Sequence, residues 1–143
     1  MILDAHGHLG PWPDFLIPDK TADGMVELMD RLGIDAIGIS HLLGVGPSAE
    51  EGNRLAFEAA GRYPGRIGVW QVYNPHQRNR LTTEGVWGVK IHPDVHQCRL
   101  DDRRYDPVWE LGLGGGAPRA RAPPGGGPGP VYTPARAPPP PPP

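Results

Sequence analysis

Residues 1–111 switch between two hydrophobic periods. Short apolar runs that suit buried strands occur at Ile2–His8, Ile34–Ser40, Arg66–Tyr73 and Val86–His92. Helical periods lie between them. Met25, Leu28, Met29 and Leu32 recur at i, i+3, i+4 and i+7, which predicts one apolar helix face. Thr21 is placed to cap that helix and Gly33 to end it. Gly44–Pro47 breaks the chain, and Ser48-x-x-Glu51 reads as a capping box. The next helix presents Leu55, Ala56, Ala59, Ala60 and Tyr63. Residues 76–84 are polar and predict a short helix, and Asp106-Pro107 opens a further one that runs a single turn to Leu111.

The resulting order, β-α-β-α-β-(α)-β-α, predicts a parallel sheet with crossover helices. Such a series opens either a Rossmann-like sheet or a (β/α)₈ barrel. A dinucleotide fold would place G-x-G-x-x-G after the first strand. Asp4-x-His6-x-His8 stands there instead.

The pattern stops at residue 112. Of the last 32 residues, 12 are Pro, 8 Gly, 5 Ala and 3 Arg, and only Leu113, Val131, Tyr132 and Thr133 are of other types. Too few apolar side chains are present to offset ordering entropy, so a disordered tail outside the fold is expected. All four dominant types are encoded by codons beginning with two G or C bases. That composition suggests a GC-rich gene read out of frame beyond about Leu111. The expected whole is an incomplete (β/α)₈ barrel of about four βα units over 1–111, followed by a disordered Pro/Gly-rich tail over 112–143.

Charge sharpens the division. All 16 acidic residues and 11 of the 14 Lys and Arg lie in 1–111, which carries −5, while the remainder carries +3. No basic stripe is present, which argues against a nucleic-acid partner. The single cysteine, Cys98, cannot form an internal disulfide and fits a reducing compartment. With no signal-like segment and no apolar run of about 20 residues, a cytoplasmic protein without a membrane partner is expected.

Alternation along a strand places Asp4, His6 and His8 on one face. Two imidazoles at i and i+2 can reach one divalent cation, so His6 and His8 are the candidate metal ligands. On the fourth strand Gly88, Lys90 and His92 share a face, with Trp87, Val89 and Ile91 on the other. Lys90 and His92 near a barrel strand's C-terminal end are the candidate catalytic groups. His41 after the second strand and Asn74 after the third are candidates for substrate binding. His76, Asp94 and His96 lie in the same set of loops.

Four segments carry a resemblance: Ile2-Leu3-Asp4-Ala5-His6-Gly7-His8-Leu9, Gly33-Ile34-Asp35, Gly88-Val89-Lys90-Ile91-His92-Pro93 and Tyr105-Asp106-Pro107-Val108-Trp109-Glu110-Leu111. Together they resemble the amidohydrolase superfamily, in its amidohydrolase-related branch, over residues 1–111. The resemblance implies a (β/α)₈ barrel with one divalent metal, zinc or manganese, held in part by His6 and His8. It implies hydrolysis or decarboxylation of a small carboxylated or cyclic substrate, and full-length relatives that form homo-oligomers. Further histidines on strands five and six and an aspartate on strand eight belong to that family's site. Residues 1–111 end before those strands, so this chain is expected to be truncated and inactive. Two alternatives stand beside this reading. A TatD-like metal-dependent deoxyribonuclease also opens with His-x-His but would carry a glutamate where Asn74-Pro75 stands. A non-enzymatic interaction protein would use the Pro-rich tail.

Overall fold

The computed structural model describes residues 1–13, 16–17 and 19–112, together with the backbone of 131–134. Its elements are β1 (Leu3–Leu9), α1 (Ala22–Leu32), β2 (Ala36–His41), α2 (Leu42–Val45), α3 (Ala49–Arg62), β3 (Ile67–Val72) and β4 (Val86–Ile91). A 3₁₀ turn at Arg103–Tyr105, α4 (Asp106–Gly112) and β5 (Val131–Pro134) follow. The sheet order is β1-β2-β3-β4-β5, with the first four strands parallel.

The caps form as the sequence predicts. Thr21 accepts from the Gly24 amide, and Gly33, at φ 69°, ends α1 in the left-handed conformation that glycine adopts without a Cβ penalty. Ser48 accepts from the Glu51 amide at the start of α3. The expected face of α1 holds in half: Met29 is buried and Met25 packs against the core, joined by Ala22 and Val26, whereas Leu28 and Leu32 remain 47% and 61% exposed.

Both long helices cover one face of the sheet. Val26 and Met29 of α1 and Ala56 and Ala59 of α3 form one core with Ile37, Ile39, Ile67, Val69 and Val86. A second cluster, Val89 and Ile91 with Tyr73, Cys98, Tyr105 and Val108, seats α4 beside β4. α4 continues through Gly112, beyond the single turn expected.

Residues 76–84, which the sequence leaves open to a short helix, form none. Gln71 ties that segment down instead, donating to the Arg80 carbonyl and accepting from the Thr82 amide at 3.0 Å. A groove of about 750 Å³ remains between α3 and residues 78–82, lined by Phe57, Gln71, Arg78, Arg80 and Leu81 among others. It lies on the helix-covered side, away from the histidines of β1.

Two irregularities break simple alternation. In β1, Asp4 pairs with Ile37 but Gly7 with Ile39, so one extra residue is accommodated. In β4, Val86 pairs with Val69 but Gly88 with Trp70, leaving Trp87 without a register partner.

The tail expectation needs one correction. Val131–Pro134 pairs antiparallel with β4, with Tyr132 opposite Lys90 and Val131 opposite Ile91. Val, Tyr and Thr favour extended pairing, and these three residues are the only β-prone triplet in the tail. The rest of the tail falls outside the described residues. Among the described residues no helix is long and apolar enough to cross a membrane.

Candidate metal centre

The face of the sheet opposite α1 and α3 gathers the chemistry. His8 pairs in register with Ser40, and Lys90 with Val72, near the C-terminal ends of their strands. His6 Nε2 and His8 Nε2 lie 2.8 Å apart. Lys90 Nζ stands 3.5 Å from the first and 3.4 Å from the second, and donates to Ser40 Oγ at 3.1 Å. Ser40 Oγ is in turn 3.2 Å from His8 Nδ1. Three of the residues singled out in the sequence therefore meet, although Lys90 is 84 residues from His6.

The bulge in β1 assists this meeting and removes Asp4 from it. Asp4 lies opposite Ile37, a core residue, and its carboxylate accepts from the His6 amide at 2.9 Å. Its expected place on the histidine face does not survive the extra residue. In β4 the bulge acts in the opposite sense. Trp87, expected to face the helices, lies over Gly38 and Gly68 on the cluster's side, edge-on to Trp70 with ring centroids 6.5 Å apart. A Cβ on Gly38 would meet both indoles and one on Gly68 would overlap that of Trp87, so these glycines make room for an aromatic floor. Trp70 also donates its Nε1–H to the Ala5 carbonyl at 2.9 Å.

Electrostatics follow from burial. Lys90 is 2% exposed, and burial lowers its amine to about 8. Burial, then the neighbouring Lys90 and His6, push His8 down to about 4. Burial and Lys90 also lower His6. Both imidazoles are thus held in the neutral form that metals require. Ser40 supplies a polar partner at His8 Nδ1 of the kind that orients a metal-bound histidine.

His6 and His8 are the residues that would hold a divalent cation, as a two-imidazole chelate. Among the described residues no group of three or more His, Cys, Asp or Glu side chains converges to hold a metal. The pair therefore falls short of the three or four protein ligands of a stable zinc site.

The remaining candidates are placed differently. His92 is half-buried at the end of β4, and its Nδ1 faces the Val95 amide at 3.5 Å. Burial and Lys90 hold its pKa down, which sets it near the cluster without a hydrogen bond to it. His41 caps α2, accepting from the Leu43 amide at 3.2 Å, and its ring packs on Gly10. Asn74 is buried and accepts from the His76 amide at 3.0 Å in a local turn. Neither His41 nor Asn74 hydrogen-bonds to the cluster, so both serve the local backbone. Ser40, Trp70 and Trp87 were not singled out from the sequence. The signal for Ser40 was present, a lone hydroxyl ending the otherwise apolar Ile37-Gly38-Ile39 run.

No model of a known protein family matches the sequence, and no curated protein matches it.

Proposed function

We propose that residues 1–111 are the metal-binding N-terminal part of an amidohydrolase-related (β/α)₈ enzyme, a hydrolase or decarboxylase of small carboxylated or cyclic substrates. The observation that carries this reading is the meeting of His6, His8 and Lys90 on the sheet face opposite α1 and α3. Strand order gives further support. β1 to β4 follow one another without reversal, and α1 and α3 cover a single face. A doubly wound sheet reverses its order and covers both faces, whereas a barrel does neither. Barrel enzymes also carry their chemistry at the C-terminal ends of the strands, where this cluster sits.

In this reading His6 and His8 would hold a zinc or manganese ion. The ion would supply Lewis acidity and a bound water of lowered pKa. Ser40 fixes the His8 ring through Nδ1. Lys90, as an ammonium, offers its charge to the carboxylate of a substrate arriving beside the histidines. The Trp70–Trp87 pair closes the floor beneath and excludes water from that side. His92, at the mouth, is the candidate for carrying a proton. The deoxyribonuclease alternative gains nothing from the end of β3, where Asn74 is engaged in a turn and supplies no carboxylate.

Zinc titration of the chain, compared with His6→Ala and His8→Ala, tests the reading. The expected result is weak binding at this centre that either substitution removes, lowering the zinc bound per chain. Zinc uptake indifferent to both substitutions would end it.

A further inference from the structure

We propose that His92 and His96 form a second cation-binding pair, on the turn after β4, which takes a divalent transition ion such as zinc through His92 Nε2 and His96 Nδ1. This pair uses neither His6 nor His8, so it is tested apart from the metal centre proposed above and revises only the role given there to His92.

The backbone brings the two residues together. The His96 amide donates to the His92 carbonyl at 2.9 Å, and the Cys98 amide to the Pro93 carbonyl at 3.0 Å. The first, an i to i+4 bond, winds one helical turn and sets the two rings on neighbouring positions, and the second, i to i+5, closes the turn after Gln97 at φ 47°. Their centroids are 6.4 Å apart at an interplanar angle of 65°. Two imidazoles on one zinc, each with Zn–N of about 2 Å, have centroids roughly 5–6 Å apart, close to the separation here.

Hydrogen bonds fix which nitrogen is open. His96 Nε2 lies 3.0 Å from the Val45 carbonyl, which can only accept, so the proton sits on Nε2. In the neutral ring Nδ1 then carries a bare lone pair. His96 is 5% exposed, and its Nδ1 is buried with no hydrogen-bond partner among the described residues. A buried acceptor left in that state needs an explanation, and a bound ion or water is the ordinary one. The backbone around it is braced as well. The His96 carbonyl accepts from His76 Nε2 at 2.7 Å, His76 Nδ1 accepts from Arg104 at 3.0 Å, and Asp102 holds Arg104 at 2.8 Å.

His92 completes the pair. Its Nδ1 faces the Val95 amide, which leaves Nε2 available for a ligand. Burial keeps both rings neutral, and Asp94 beside His92 adds a compensating negative charge. Neutral imidazoles favour zinc, nickel and copper over the harder magnesium and calcium. On this assignment His92 is a ligand rather than a proton carrier.

The test is a zinc titration of the full chain carrying His6→Ala and His8→Ala together, followed by calorimetry and by the ring-nitrogen resonances of the histidines. One zinc should still bind. His96 Nδ1 should shift on binding while His96 Nε2 keeps its proton. His92→Ala, at a half-buried position, should weaken that binding at least tenfold. The same resonance shift, read in the unsubstituted chain, makes the result independent of whether the double variant folds. An unmoved His96 Nδ1 resonance in the unsubstituted chain would overturn the proposal and leave water as the partner of that nitrogen. Zinc affinity unchanged by His92→Ala would overturn it equally.

Discussion

Lys90 Nζ lies 3.4 Å from His8 Nε2, across 82 residues of sequence and from the opposite side of a four-strand parallel array. An ammonium in that position repels any cation that the imidazoles attract. At a few ångströms and in a partly buried setting, such repulsion amounts to a few kcal/mol.

Lys90→Met removes the charge and keeps the length of the side chain. Zinc binding by the His6 and His8 pair should then tighten by about tenfold or more. Titration calorimetry at neutral pH measures it. A weaker affinity would mean that the Lys90 amine is itself a ligand.

Much of this centre was legible because strand alternation is a local rule. His6 with His8 and Lys90 with His92 were each assigned to one face from spacing alone, and the structure brings His6, His8 and Lys90 together. The rule failed where the strands bulge. Asp4 and Trp87 were assigned by unbroken alternation, and one extra residue in each of β1 and β4 turned those assignments over. Nothing in single-residue chemistry marks those bulges. Their partners give a trace, since Gly38 and Gly68 are the small residues over which Trp87 lies. The α1 face was legible in half. Met25 and Met29 of the expected face pack on the core, but Leu28 and Leu32 do not, and Ala22 and Val26 take their place. The segment at 76–84 was polar enough for a solvated helix, yet Gln71 supplies its backbone with partners that a helix would have replaced.

The aromatic floor makes a sharper stability prediction. Gly68→Ala places a Cβ against the Trp87 indole. Overpacking of this kind costs about 1–3 kcal/mol. Denaturant unfolding should show that loss in Gly68→Ala and recover much of it in Gly68→Ala with Trp87→Leu. Equal loss in the single and double variants would mean that the glycine is needed for its backbone rather than for the space it leaves.

Acid should weaken the fold before the carboxylates titrate. Burial lowers His8, His41 and His96 relative to the ordinary histidine value of 6.5, His8 to about 4. The unfolded chain therefore binds more protons than the folded one once pH falls below about 6.5. The stability tied to these rings is complete above that pH and is lost progressively as pH falls toward about 4. Metal-free thermal unfolding between pH 7.5 and 4.5 should show a midpoint that drops steadily in this window. A flat profile down to pH 5 would contradict the burial of these rings.

The pairing of Val131–Pro134 with β4 shields an edge that would otherwise be open to other strands. A chain ending at Gly112 should self-associate more readily than the full chain. Sedimentation velocity at matched concentrations should show larger species for the shortened form. Identical, monomeric boundaries for both would remove any protective role for that strand.

Turnover is the last expectation, and it is negative. On the proposed function, reaction requires a held metal, an activated water or substrate, and a group that moves a proton to the product. In (β/α)₈ enzymes such groups come from strands spread around the whole barrel. His6 and His8 meet only part of the first requirement. Residues 112–143 contain no Asp, Glu or His to supply the rest. One general acid or base is typically worth about 10² to 10⁴ in rate, so losing several, together with a firmly held metal, leaves almost nothing. The 143-residue chain should therefore show no detectable turnover of esters, lactones, amides or aromatic carboxylic acids, with or without added zinc or manganese. The chain and its His6→Ala variant are to be purified and assayed side by side. Turnover that vanishes in His6→Ala would place a working site within residues 1–111, with Lys90 as the first group to examine.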